Sequence, residues 1–370
     1  MAPRLKSMIL EEVGKPLIME DLEVPKPKFG EVLVKVEACG VCHTDLHVMK
    51  GEVKFPTPAV LGHEVSGIVD STGESVQNLK RGDTVVCPFI IPCGECYYCV
   101  RGMDDLCENF YKYNRLQGKL YDGETRLFRK DRSPVWMYSM GGLAEYTVVP
   151  KTAVFKLPQN LPLRESAILG CGVFTAYGAA KNQGVIRPGE SVAIIAVGGV
   201  GMNLVNISRI FGATTIVAVD VRDEKLEAAT KFGATHVVNS TKQDVVSEVL
   251  RITDGRGVDV AFECLGRPET VLQGLNTVRD GGRAVMVGIA PAGATAAFEI
   301  TKLVRREVKI MGSYGARVRS DMPEILTLAR NGAIDVTHLV SKTFTLIQTN
   351  EAYSALDRGD IVGRAIVTMH

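Results

Sequence analysis

The chain has 370 residues, enough for about two domains at the usual ~150 residues each, so small disulfide-stapled scaffolds are excluded. Lys plus Arg total 43 against 42 for Asp plus Glu, and the formal charge of +1 lacks the basic excess of a phosphate-backbone binder, which argues against nucleic acid as a partner. Hydrophobic residues at 46%, charged residues at 23% and aromatics at 6% describe ordinary globular composition without a bias to disorder.

The beginning, Met1-Ala-Pro-Arg-Leu-Lys, runs into polar–apolar alternation without the apolar run of an export signal. No stretch reaches the ~20 apolar residues of a membrane span, so no membrane partner is expected and a reducing cytoplasm is the expected compartment. Over the first 160 residues, short strand-like runs are broken by Gly and Pro. Val32, Val34 and Val36 alternate with mostly polar neighbours, the pattern of a half-buried strand, and turn signals recur at Gly30, Gly51, Gly73 and Gly82. A compact β barrel or sandwich is expected there. Arg126–Arg132 reads as a solvated charged loop.

From Ser191 the rhythm changes. Apolar β-rich runs at 191–197, 215–220, 235–239, 258–263, 283–288 and 308–312 alternate with helical stretches such as Arg222–Phe232 and Gln243–Thr253. This predicts a doubly wound parallel sheet with crossover helices. Gly363–Met369 reads as a final strand that returns to the first domain and leaves the sheet domain inserted. The expected divisions are 1–170 for a β-rich domain, 171–312 for the parallel-sheet domain and 313–370 for the return.

Of nine cysteines, seven lie between Cys39 and Cys107. Cys93, Cys96, Cys99 and Cys107 are spaced C-x2-C-x2-C-x7-C, which suits a closed tetrahedral zinc shell with no position left for chemistry. An iron–sulfur cluster is the rival, but its run has a shorter last step and a following Pro, whereas Glu108 follows Cys107. A second cluster comprises Cys42-His43-Thr44-Asp45-Leu46-His47, Gly62-His63-Glu64 and Cys171 between Gly170 and Gly172. Two thiolates and an imidazole there make a site with one place free for water or substrate. Cys39, Cys87 and Cys264 read as core thiols.

The strand from Ser191 runs into Ala196-Val197-Gly198-Gly199-Val200-Gly201 and then a helical period to Phe211. Glycines in such a turn let a pyrophosphate approach the helix N-terminus. Asp220 ends the next strand, 19 residues past Gly201, where a carboxylate accepts from ribose hydroxyls and repels a 2′-phosphate. NAD is therefore favoured. NADP is the alternative if Arg222 pairs with a 2′-phosphate.

Together these motifs resemble the zinc-dependent medium-chain alcohol dehydrogenases over essentially the whole chain. Gly62-His63-Glu64-x2-Gly67-x5-Gly73-x2-Val76 matches their zinc signature, and the four-cysteine lobe, Cys171 and the glycine motif follow in the expected order. The resemblance implies a Rossmann domain inserted in a GroES-like catalytic domain, with two zinc ions per chain. It implies Cys42, His63 and Cys171 as catalytic zinc ligands, Glu64 close behind the metal and Asp45 orienting His63. It adds Lys225 near the adenosine ribose, Arg267 and Arg364 near the cofactor phosphates or ribose, and Thr175, Val200 and Val287 around the nicotinamide. His43 stands where many relatives carry Arg beside the pyrophosphate.

The implied reaction is reversible hydride transfer between a primary alcohol or aldehyde and the nicotinamide cofactor. Zinc lowers the pKa of the alcohol, Thr44 takes its proton, and His47 ends a relay through the cofactor ribose to solvent. Phe89 and Ile289 line the substrate pocket in relatives, and Trp136–Tyr138 is a further candidate for it. The long stretch Asn114–Val135 favours a homodimer over a homotetramer. Two other functions remain open at this point. One is a formaldehyde dehydrogenase acting on a thiol adduct such as S-hydroxymethylglutathione; the other is a zinc-binding protein of this fold without activity.

Overall fold

Val32, Val34 and Val36 are fully buried in the strand Glu31–Gly40 of the computed structural model, which describes residues 4–370. Leu33 is buried as well, because the first half of this strand is covered on both faces. One edge of it pairs antiparallel with Val65–Thr72. The other edge is shared: Glu31–Lys35 pair with Tyr146–Pro150, and Ala38–Gly40 pair with Ile366–Thr368. The sheet continues through Thr84–Cys87 to Phe155–Lys156 on one side, and through Arg364–Thr368 to Val340–Thr345 on the other. A second sheet has the order Ile18–Glu23, Arg4–Leu10, Ala59–Val60, Pro134–Met137, Leu127–Phe128.

The closing segment thus hydrogen-bonds to the strand Glu31–Gly40, and the parallel-sheet region lies between them in the chain. That region has six parallel strands in the order His236–Asn239, Thr215–Asp220, Ser191–Ile195, Val258–Glu263, Val278–Met286, Lys309–Gly312. This is the doubly wound order of the dinucleotide-binding fold. Ala193, Ile195, Val217, Val219, Val258 and Ala261 form its core with Val245 and Val249 from the helix Val245–Ile252. Strands covered on both faces need continuous apolar runs, which is why they stand out in the sequence.

All six expected strands are present, some with shifted ends. Val278–Met286 starts earlier than the apolar run, because Asp280-Gly281-Gly282 is carried as an irregularity in register. Compact units divide after Phe174 and after Ala316: residues up to Phe174 join Arg317–His370, and Thr175–Ala316 form the other unit. Among the described residues no helix is long and apolar enough to cross a membrane.

The charged stretch Arg126–Arg132 is solvated only at Lys130, Asp131 and Arg132; its first half is not. Arg126 is 5% exposed; its guanidinium donates to both oxygens of Glu31, at 3.0 and 2.5 Å, and to Asp122 at 2.8 Å. Arg129 reaches Glu20 at 3.0 Å and also Glu11, while Leu127–Phe128 form a short strand. Asp122 is four residues from Arg126, but Glu31, Glu20 and Glu11 lie about a hundred residues away in sequence, so local composition could not reveal the burial.

Candidate active site and metal centres

Cys42 ends an extended segment and starts the helix His43–Met49, so its side chain lies at the helix entrance while Thr44 and His47, three residues apart, share one face. His63 and Glu64 precede the strand Val65–Thr72. Cys171 sits at the junction between the 3-10 segment Glu165–Gly170 and the helix Gly172–Gly178. The ligand atoms of Cys42, His63, Glu64 and Cys171 lie within 4.8 Å of one another, and all four residues are buried.

Several contacts hold this cluster. Asp45 is fully buried, and its Oδ1 accepts from the Gly62 N–H and from His63 Nδ1, each at 3.0 Å. His63 therefore presents Nε2 to the cluster. Thr44 Oγ1 is 3.6 Å from Cys42 Sγ. Arg364, 4% exposed, pairs with Glu64 Oε1 at 2.8 Å and donates to the Val41 carbonyl at 3.3 Å. Gly172 makes this approach feasible, because a Cβ there would lie 2.5 Å from Arg364 Nε.

The electrostatics suit a cation. The Cys171 thiol donates to the Cys42 sulfur and, against burial and with help from Arg364 and His63, holds Cys42 well below the ordinary thiol range. Burial would lower His63, yet Asp45 and Cys42 push it up to about 10. Burial raises the Glu64 carboxyl despite the pull of Arg364. Two sulfurs and an imidazole beside carboxylates form a donor set that fits Zn²⁺.

Cys93, Cys96, Cys99 and Cys107 also place their sulfurs within 4.8 Å of one another, with Cys93 to Cys99 and Cys96 to Cys107 each 4.0 Å apart. A zinc tetrahedron with Zn–S bonds of ~2.3 Å needs sulfurs ~3.8 Å apart, so the fit is close. Backbone N–H groups support the sulfurs: Cys93 N–H donates to Cys107 Sγ at 3.3 Å, Cys96 N–H to Cys93 Sγ at 3.3 Å, and Phe110 N–H to Cys107 Sγ at 3.4 Å. No cysteine is in a disulfide.

In the other unit, Gly198 starts the helix Gly199–Ile210, whose first N–H groups have no partner within the helix. A Cβ on Gly201 would meet the Ala196 carbonyl oxygen at 2.1 Å, so helix and turn can pack only with glycine there. Asp220 is buried and anchored: Oδ2 accepts from Val197 N–H at 3.0 Å, and Oδ1 from Val221 and Arg222 N–H at 2.9 and 3.2 Å. The Arg222 guanidinium pairs with Glu224 at 2.5 Å. Val200 and Lys225 are half-buried, Thr175 and Val287 buried, Arg267 exposed at the start of Pro268–Thr277, and Ile289 38% exposed.

Phe89 lies edge-on to His63 with ring centroids 5.9 Å apart, and 5.8 Å from Phe174. Tyr138 is the neighbour that the sequence named only as part of a segment. Its ring is 6.0 Å from His63, with Phe55 4.9 Å beyond it and the Arg115 guanidinium 4.4 Å over its face. Two other residues escaped sequence reasoning: Tyr353, buried with its hydroxyl beside Asp45, and Glu52, bonded to His47. His43 is exposed, its ring 6.4 Å from that of His47.

Residues 28–159 match the alcohol dehydrogenase GroES-like domain, and residues 199–331 match the zinc-binding dehydrogenase domain. An S-(hydroxymethyl)glutathione dehydrogenase of Komagataella pastoris is 34% identical over 99% of this chain and 98% of its own length. Benzyl alcohol dehydrogenase from Acinetobacter calcoaceticus has the same fold with a TM-score of 0.93, at 31% identity and with both chains fully covered. A zinc-binding dehydrogenase of Sinorhizobium meliloti bound to NADP superposes with a TM-score of 0.82, at 29% identity and with 99% of each chain covered. The chain therefore belongs to the zinc-dependent medium-chain dehydrogenase/reductase family and is an oxidoreductase of its alcohol dehydrogenase group.

Proposed function

We propose that this enzyme interconverts a primary alcohol and its aldehyde with NAD as hydride partner, using one open zinc site at Cys42, His63 and Cys171 and one closed site at Cys93, Cys96, Cys99 and Cys107. The observation that carries this reading is the convergence of two sulfurs and an imidazole, with Asp45 fixing His63 and Thr44 3.6 Å from the Cys42 sulfur. Bound zinc supplies a Lewis acid that acidifies the alcohol hydroxyl, and NAD supplies the hydride acceptor.

This chain's residues do the rest. Thr44 takes the alcohol proton, and His47, on the same face of its helix, passes it toward solvent. Glu64 and Arg364 form the buried charge pair behind the metal donors, with Arg364 also assigned to the cofactor phosphates or ribose together with Lys225 and Arg267. By family resemblance, His43 would meet the pyrophosphate of a bound cofactor, and Thr175, Val200 and Val287 its nicotinamide. The helix start at Gly198, Gly199 and Gly201 receives the phosphates. Anchored Asp220 favours NAD, since three backbone N–H groups keep its carboxylate where a 2′-phosphate would be repelled. Phe89 and Tyr138 beside His63 give the substrate side an apolar character suited to a hydrophobic or aromatic alcohol; family resemblance alone adds Ile289. A reducing cytoplasm fits nine unbridged cysteines, and the homodimer rests on the long stretch Asn114–Val135.

The test is metal analysis beside an absorbance assay over alcohols and aldehydes, with NAD and NADP in parallel. Two zincs per chain and NAD-dependent alcohol oxidation are expected. Activity that survives Cys171→Ala would overturn the ligand assignment. The relative from Komagataella pastoris favours a second substrate reading, the adduct of formaldehyde with a thiol. Formaldehyde oxidation that requires added glutathione would select it.

A further inference from the structure

The helix His43–Met49 ends in a specific way. Lys50 N–H donates to the Leu46 carbonyl at 2.9 Å, Gly51 N–H to Val48 at 3.0 Å, and Glu52 N–H to His47 at 2.9 Å, the last two being the paired bonds of a Schellman motif. Gly51 has φ 76°, and a Cβ there would meet Val13 Cγ1 at 2.7 Å, so glycine suits the turn on both counts. The motif folds the chain back by one helical turn and brings Glu52 beside the residue whose carbonyl it has just bonded. There Glu52 Oε2 hydrogen-bonds His47 Nδ1.

An ionised carboxylate can only accept. In the neutral imidazole the hydrogen must therefore sit on Nδ1, which leaves the lone pair on Nε2. The other charged groups nearby are placed differently: Lys50 pairs with Asp357 at 2.6 Å, and the His43 ring centroid is 6.4 Å from that of His47. Both partners reach water, with side-chain exposures of 26% for His47 and 36% for Glu52.

We infer that Glu52 is a positioning residue for proton transfer: it locks His47 as the Nδ1–H tautomer, so that Nε2 receives the proton released during alcohol oxidation. In this step an Nε2–H bond forms as the donor hydroxyl's O–H bond breaks, and the imidazolium then gives a proton to water. The inference rests on the relay role of His47 proposed above and adds what prepares that residue for it.

The test uses full-length, zinc-loaded enzyme with ¹⁵N-labelled histidine. Long-range ¹H–¹⁵N spectra of the wild type, Glu52→Ala, Glu52→Asp and His47→Gln are recorded where the imidazoles are neutral, the last variant assigning the His47 signals. The wild type should show a protonated Nδ1 and a bare Nε2. Glu52→Ala should lose that preference and lower kcat roughly tenfold, a fraction of the ~10²–10⁴ that general acid–base catalysis contributes, at little cost in KM. Glu52→Asp should restore part of both. A wild-type His47 protonated at Nε2, or a tautomer unchanged in Glu52→Ala, overturns the assignment. A tautomer change without a fall in kcat overturns its link to the reaction. Undiminished turnover in His47→Gln overturns the relay itself, while the spectra still judge Glu52 separately.

Discussion

Ala196 has φ 72°, a left-handed conformation in which an L side chain crowds its own backbone. The glycine motif usually begins with glycine at this place, and here alanine bears the strain. Left-handed alanine costs ~1–2 kcal/mol and glycine returns ~0.5–1 kcal/mol through its freer unfolded chain, so Ala196→Gly should gain about 0.5–1 kcal/mol. Urea midpoints with an unchanged m-value would show it, and a destabilised variant would contradict the strain argument. Asp220 tests cofactor choice at the same scale. Asp220→Gly removes the acceptor of three backbone N–H bonds and the charge that repels a 2′-phosphate. The expected result is a lower melting temperature together with a rise of at least about tenfold in kcat/KM for NADP relative to NAD, as one lost charge contact commonly gives. Destabilisation without a change in preference would leave Asp220 as a pin for the turn only.

Single elements explain what the sequence could reveal. The parallel strands were legible because each is an apolar run covered on both faces, and the helix Val245–Ile252 because Asp244 caps it, accepting from Ser247 N–H at 2.8 Å. The two clusters of candidate metal donors were legible because thiolates and imidazole at short spacing have few other uses. Tyr138 was less so, since it reaches His63 through the pairing of Ala59–Val60 with Trp136–Met137, and two-residue strands carry no readable period. Glu52 depends on a turn, and the burial of Arg126 on Glu31, which is distant in sequence. The segment around Arg126 also predicts a pH effect. Burial raises Asp122, but Lys28 and Arg126 more than offset this and hold it at about 2, below its ordinary 3.8. A carboxyl depressed in the folded state stabilises fully above its unfolded pKa and loses that contribution as pH falls through the folded value. Asp122→Asn should therefore be less stable than wild type near neutrality, and the gap should close between about pH 4 and pH 2. Asp122 is 37% exposed, so the gap should also shrink in salt. A constant gap across that range would assign the effect to packing.

At the scale of the whole molecule, the two cysteine clusters belong to one compact unit but make different demands on it. The open site adjoins the buried strand Arg364–Thr368 and the buried start of Val65–Thr72, and is braced without metal by the Asp45–His63 bond and the Glu64–Arg364 pair. The Cys93–Cys107 lobe instead consists of turns and short 3-10 segments, Cys99–Arg101 and Asp104–Leu106, with little apolar core of its own. It is tied down by Arg319, which makes a forked pair with the buried Asp104 at 2.7–3.1 Å and donates to the Cys99 carbonyl. Metal in the lobe should therefore contribute to folding, and metal in the open site mainly to chemistry. A small chelator enters most readily through a free coordination position, so brief treatment with 1,10-phenanthroline should remove one zinc per chain and abolish activity while the melting temperature falls little. A mercurial that attacks the lobe thiolates should release the second zinc and lower the melting temperature sharply. Arg319→Ala should make that second release faster without altering the first. Simultaneous loss of both ions to the chelator, or full activity after the first is gone, would contradict this division of labour.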